Sequence, residues 1–131
     1  VGSLPAIWAD KIAALACRPE VKWRDVWDLN TTSAAVEQAE SRGRGEPTRA
    51  DHIAATLAIY GETPEDVRDN LQARIDAGVF DDVDGYVDGV EDWLDAPPTG
   101  DEARAQLKVA RRQTEAAIEA IETRLISEPK P

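Results

Sequence analysis

The chain has very little sulfur. Of its 131 residues one is a cysteine, Cys17, and none is a methionine. A single cysteine cannot form an internal disulfide, which excludes a disulfide-stapled secreted scaffold and fits a reducing compartment, so we expect a cytoplasmic protein. The one histidine, His52, has no second histidine or cysteine at the spacing of a zinc site. We therefore predict no metal and no cofactor.

Long apolar runs are missing as well. The longest stretch without a charged residue covers His52 to Gly61. That is about half of the roughly 20 residues that a membrane-spanning helix needs. We expect no membrane-spanning segment and no membrane partner.

Positive charge is absent from one part of the chain. The sequence holds 26 acidic and 15 basic residues, a formal net charge of −11. Ten of the acids lie in residues 76–102, which contain no lysine or arginine and which we call the acidic segment. Net negative charge repels phosphates, so binding to nucleic acid or anionic lipid is disfavoured.

Length and composition predict one folded domain over residues 1–131. The hydrophobic fraction is 42% and the charged fraction 31%, which is typical of globular proteins. Apolar residues recur at helical spacing between proline and glycine breaks, and no strand with a period of two is evident. We predict an all-α, single compact multi-helix domain of about five to seven helices, with an exposed loop at residues 42–48.

Individual helices follow from caps and breaks. The first begins at Ser3 and places Leu4, Trp8, Ile12 and Leu15 on one face. A second starts at Pro19 and carries Trp23 and Trp27, and a weaker, separate one covers Thr31 to Ser41. Two more cover residues 49–60 and 63–78. Thr99 and Glu102 form a capping box that opens a long C-terminal helix reaching about Ile126.

The acidic segment contains the most regular apolar pattern. Four residues, Val83, Val87, Val90 and Leu94, share one face of a helix predicted over Asp81 to Asp95. Acidic residues cover the neighbouring face, and Tyr86 and Trp93 lie on the other side of the valines. Gly85 and Gly89 each weaken such a helix by about 1 kcal/mol relative to alanine, so something other than helix propensity must favour small residues there.

The sequence contains only weak motifs for metal binding or catalysis. Residues Phe80 to Glu91 align with a calcium loop, but Phe80 occupies the first position, where a carboxylate belongs. Cys17 and His52 are the sole candidate nucleophile and base, and neither has a local catalytic signature. We expect a protein that is not an enzyme and has no catalytic residues.

The charge pattern favours a protein-binding function. We predict an inhibitor or neutralising partner, antitoxin-like or anti-defence-like by analogy of charge, that presents a nucleic-acid-mimicking face to a protein with a basic surface. The predicted partner-binding residues are Asp84, Asp88, Glu91, Asp92, Trp93 and Asp95. The alternative is a face that is merely solvated, with some acids paired to a stripe of Arg104, Lys108 and Arg111 on the next helix.

Two other functions stay open. The chain is a structural or assembly subunit if its last helix self-associates, as a homo-oligomer, through Leu107, Ile118, Ile121 and Leu125. The third is DNA binding, because residues 49–77 have the outline of a helix-turn-helix. The second helix of that pair carries more acids than bases, which makes nucleic acid an unlikely ligand by the sequence alone.

Overall fold

Six α-helices account for most of the computed structural model, which describes residues 3–42, 45 and 47–126. They are α1 (Leu4–Cys17), α2 (Trp23–Arg42), α3 (Arg49–Tyr60), α4 (Pro64–Asp76), α5 (Val83–Glu91) and α6 (Gly100–Ala120). A 3₁₀ turn (Val79–Asp81) precedes α5, and a π-helical turn (Ile121–Leu125) continues α6. The described residues contain no strand, so the predicted all-α fold with a long final helix is confirmed.

Helix α1 is fixed at both ends by hydrogen bonds. The Ser3 hydroxyl accepts from the Ala6 amide at 3.2 Å, as its sequence position predicts. At the other end the Arg74 guanidinium, which belongs to α4, donates to the carbonyl oxygens of Leu15 and Arg18. Trp8, Ile12 and Leu15 are buried as predicted, but Leu4 is 52% exposed because it lies in the first turn, ahead of the packed part of the helix.

Helix α2 is one helix of 20 residues, and the prediction of two separate segments is wrong. The hydroxyl groups of the polar stretch in its middle find acceptors within the helix: Thr32 donates to the Asp28 carbonyl at 2.7 Å and Ser33 to the Asn30 carbonyl at 2.8 Å. The buried Leu29 and Val36 lie before and after this stretch. Packing against α1 and α6 therefore carries the helix through residues of low helix propensity.

A short turn joins helices α3 and α4, which pack on α1 and α6. Thr48 and Asp51 make a capping box at the start of α3, and Thr63 caps α4. Gly61 joins them in the left-handed region at φ 73°, which favours glycine. Of the predicted exposed loop at 42–48, Arg42 ends α2 and Gly45 and Pro47 are exposed. The remainder, residues 43, 44 and 46, lies outside the described part.

The core is centred on α1, which packs against α2, α3 and α4, while α6 packs against α2 and α4. Each helix contributes at least one fully buried side chain, as shown by Trp8, Leu29, Ile53, Leu71, Val90 and Leu107 in chain order. A buried polar residue, Gln113, lies among them. Its side-chain oxygen accepts from Trp8 Nε1 at 3.1 Å, and its nitrogen donates to Glu37 at 2.8 Å.

The apolar face of α6 is part of this core. Leu107 and Ile121 are fully buried, Ile118 is 9% exposed, and Leu125 is half-buried against the same cluster. The chain's own helices thus cover Leu107, Ile118 and Ile121 and partly cover Leu125, which leaves little of this face exposed for the predicted self-association. Periodicity identified an apolar face but could not tell an internal contact from an external one.

No helix within residues 3–42 and 47–126 combines the length and the apolar character that crossing a membrane requires.

Candidate acidic interface on helix α5

Helix α5 is shorter than predicted and begins at a carboxylate cap. The Asp82 side chain accepts from the Gly85 amide at 3.0 Å, and the helix ends at Glu91. Trp93 and Asp95 therefore lie beyond the helix and not on it, which corrects the prediction of one helix over Asp81 to Asp95. The chain then runs through an irregular stretch to the predicted Thr99 capping box, which is confirmed.

One side of α5 is anchored to the core through Tyr86. This residue was expected with Trp93 on the other side of the valines from the acids, and it is fully buried. Its hydroxyl donates to Gln106 on α6 at 2.8 Å, and its ring meets the Trp23 ring edge-on at 5.9 Å. Burial raises the pKa of the Tyr86 hydroxyl well above its usual value. Val90, one turn further on, is buried beside it.

Steric contacts explain why both Gly85 and Gly89 of α5 are glycines. A Cβ atom at Gly89 would lie 2.6 Å from Cγ of Trp23, so only glycine lets α5 approach α2 this closely. A Cβ atom at Gly85 would instead meet the Asp82 cap, 2.8 Å from its Cγ. The expectation that something other than helix propensity favours small residues here agrees with these contacts.

The opposite side of α5 carries the predicted acids. Asp84, Asp88 and Glu91 follow one another at helical spacing, and Asp92 and Asp95 continue the row past the helix end. All five are exposed. Within the described part of the chain, none of the five has a basic group within ion-pair distance. We call these five residues together with Trp93 the acidic face.

The basic stripe on α6 does not pair with the acidic face. Arg104 forms an ion pair with Asp101 at 2.7 Å, and Arg111 with Glu115 at 3.2 Å. Both partners lie on α6 itself. Asp101 is one of the ten acids of the acidic segment, so the alternative in which the stripe pairs with some of these acids holds for Arg104, but neither arginine pairs with an acid of the acidic face.

Trp93 is held in place by two residues of α2. Its ring packs edge-on against Trp27 at 5.7 Å, and the Arg24 guanidinium lies 5.1 Å from its centroid. Its Nε1 donates to the Gly89 carbonyl at 3.2 Å, and 36% of the residue stays exposed. The contribution of Arg24 was not foreseen from the sequence. The only available signal was its place between Trp23 and Trp27.

The other candidate sites gain no support from the geometry. Phe80, at the first position of the calcium-loop alignment, is buried, and Asp82 serves as a helix cap. Among the described residues, no three histidine, cysteine or carboxylate side chains are grouped closely enough to hold a metal ion. Burial, followed by the charge of Glu62, raises the pKa of the Cys17 thiol, which lowers its thiolate fraction at neutral pH.

Comparison of the chain with protein-family models, with curated proteins and with solved structures finds no match.

Proposed function

We propose that this chain is a non-enzymatic, cytoplasmic protein-binding module whose acidic face occupies a basic, nucleic-acid-binding surface of another protein. The observation that carries the proposal is the row of five exposed carboxylates on and beyond α5, none of which has an ion-pair partner among the described residues. Carboxylates without internal partners are free to meet cations on another molecule.

The spacing of the charges supports mimicry of nucleic acid. Asp84, Asp88 and Glu91 lie on α5, the last of them seven positions after the first, or roughly 10 Å at a rise of about 1.5 Å per residue. That is about one charge per 5 Å of helix axis, of the same order as one phosphate per about 3.4 Å along a DNA strand. A groove that binds phosphates would find a similar line of negative charge on α5.

Trp93 supplies the apolar part of the interface. Interfaces gain most of their affinity from a few residues, and tryptophan is prominent among them. Because Trp27 and Arg24 already hold its ring, Trp93 loses little side-chain freedom on binding. Carboxylates beside a fixed aromatic ring suit a surface rich in arginine and lysine.

The test is partner capture with a matched pair of variants. The double variant Asp88→Lys, Glu91→Lys reverses two charges three residues apart on the acidic face. The control, Glu119→Lys, Glu122→Lys, reverses two exposed charges with the same spacing at the C-terminal end of α6 and in the turn after it. Immobilised wild-type chain and control should retain the same partner from a lysate of the source cell, and the face variant should lose it.

Two additional measurements distinguish mimicry from simple charge attraction. The identified partner should leave the wild-type chain as salt is raised, and duplex DNA should compete for it. The same partner retained by the face variant, whose folding is verified by circular dichroism, would contradict the proposal. If duplex DNA does not compete for the partner, mimicry of nucleic acid is rejected, and the interface is a charged one without mimicry.

Direct DNA binding by helices α3 and α4 is less well supported. Arg74 donates to carbonyl oxygens of α1 and of the residue that follows it, and Arg68 is bonded to Asp69 at 3.0 Å. Of the two arginines on the candidate recognition helix, Arg74 is thus already used to hold the C-terminal end of α1. The net negative charge of α4 further opposes an approach to phosphates.

A further inference from the structure

A groove of about 240 Å³ lies between α6 and the chain around the 3₁₀ turn, apart from the acidic face. Its lining consists of Phe80, Asp81, Val83, Arg104, Lys108 and Arg111. Phe80 is 6% exposed and Val83 is half-buried, so the two form an apolar floor. The groove is thus an apolar depression with charged side chains around it.

The rim is strongly basic within an otherwise acidic protein. Arg104, Lys108 and Arg111 are spaced four and three residues apart, which places them on one face of α6. Asp81 is the one acidic residue among the lining residues. Three cations against one carboxylate give the groove a charge opposite to that of the whole chain.

The cations of the rim are available to a ligand. The ion pairs of Arg104 with Asp101 and of Arg111 with Glu115 both lie within α6, and all four side chains are at least 45% exposed. Exposed pairs of this kind contribute roughly 0–1 kcal/mol and exchange easily for a better partner. Lys108 is exposed and makes no ion pair with any described residue.

We propose that this groove binds a small amphipathic anion: a free molecule with an aromatic ring or short hydrocarbon body that carries a phosphate or carboxylate group. The body would rest on Phe80 and Val83 while the anionic group meets the three cations. The volume fits, because a cavity of about 150 Å³ holds benzene and the groove is larger than that. This inference concerns a different surface from the acidic face and does not depend on its function.

Three probes separate the two halves of the ligand. Phenyl phosphate has both the ring and the anion, inorganic phosphate has only the anion, and phenol has only the ring. Each is titrated into the ¹⁵N-labelled full chain and followed by amide chemical shifts. We expect saturable shifts around Phe80 and Lys108 with phenyl phosphate, and binding at least about tenfold weaker with either fragment.

Variants assign the binding to the groove. Arg111→Gln removes a rim cation, and Arg112→Gln removes the neighbouring exposed arginine that does not line the groove. We expect about tenfold weaker phenyl phosphate binding from Arg111→Gln and no change from Arg112→Gln. Val83→Ser should weaken phenyl phosphate more than inorganic phosphate. Equal affinity for phenyl phosphate and inorganic phosphate, or equal losses from the two arginine variants, would overturn the proposal.

Discussion

Gly89 of α5 lies directly against the indole of Trp23 on α2. A methyl group at Gly89 would lie 2.6 Å from Trp23 Cγ, near the base of the side chain, where little movement is available. Trp23 in turn meets the Tyr86 ring edge-on. This close approach sets the distance and rotation of α5 on the core, and so it determines which side chains of α5 face outward.

We expect Gly89→Ala to destabilise the fold. In an exposed helix this change gains about 1 kcal/mol from helix propensity, but overpacking against Trp23 costs about 1–3 kcal/mol. The free energy of unfolding, measured by urea denaturation with tryptophan fluorescence, should therefore fall by up to about 2 kcal/mol. Gly85→Ala is the control, because the Asp82 carboxylate can rotate away, and its effect should stay within about 0.5 kcal/mol. A Gly89→Ala protein at least as stable as wild type would show that α5 can move away from α2.

Gln113 should be among the most sensitive polar positions. Its side-chain oxygen accepts from Trp8 Nε1 and, at 3.4 Å, from Arg49, and its nitrogen donates to Glu37. Gln113→Leu leaves the buried Trp8 N–H without an acceptor, and an unpaired buried group costs about 1–3 kcal/mol. We expect a loss of that size in the free energy of unfolding. The exposed Gln72→Leu, which gives up one bond to Asp76, should change it by less than about 0.5 kcal/mol.

Asp25 should give the stability an unusual dependence on pH. It is 1% exposed, and burial raises the pKa of its carboxyl group despite the opposing charges of Arg18 at 2.9 Å and Lys11 at 3.5 Å, with Asp28 adding a smaller rise. The pKa of Asp25 is higher in the folded state than in the unfolded state. Its favourable contribution to the free energy of unfolding is therefore complete below the unfolded-state pKa and is lost as pH rises through the folded-state pKa.

The measurement for Asp25 is the difference in unfolding free energy between wild type and Asp25→Asn. That difference should become less favourable to wild type as pH rises from about 4 towards neutral. Both proteins contain all the other carboxyl groups, whose contributions cancel in the difference, and the asparagine of the variant does not titrate. A difference that grows with pH would mean that Arg18 and Lys11 outweigh the cost of burial.

Salt should stabilise the fold through the acidic face. Neighbouring like charges at helical spacing each cost a few tenths of a kcal/mol, and added salt screens them. We expect the free energy of unfolding to rise between about 0.02 and 0.3 M sodium chloride, since the Debye length falls from tens of ångströms to a few. The rise should shrink in Asp88→Asn, Glu91→Gln and persist in Glu119→Gln, Glu122→Gln. Equal slopes in all three proteins would assign the repulsion to the whole chain.

Local signals in the sequence were sufficient for three of the helix starts. Ser3, Thr63 and Thr99 were each expected to begin a helix, and each accepts a backbone hydrogen bond at the predicted place. A capping side chain bonds a backbone amide within four residues, so neighbouring residues in the sequence are enough to predict where the helix begins. The exposed acids of α5 were predictable for a similar reason, because their number relative to nearby bases leaves most of them on the surface.

Contacts between distant parts of the chain were not predictable in this way. Whether Tyr86 faces inward depends on two residues far away in the sequence. Trp23 lies 63 residues before it, and Gln106 lies 20 residues after it. The same holds for the interior face of α6, where periodicity could not distinguish the core from an interface. Continuity of α2 was missed because packing of Leu29 and Val36 overrides the weak propensity of the threonines between them.

In α5, the residues that pack the helix on the core are different from the residues whose side chains are exposed to solvent. Tyr86, Gly89 and Val90 hold the helix, while the side chains at positions 84, 88, 91, 92 and 95 are exposed and make no ion pair with a described residue. The displayed positions can therefore be randomised together with little effect on folding. A library of such variants, selected against a chosen basic protein, would use this fold as a scaffold for new binding specificities.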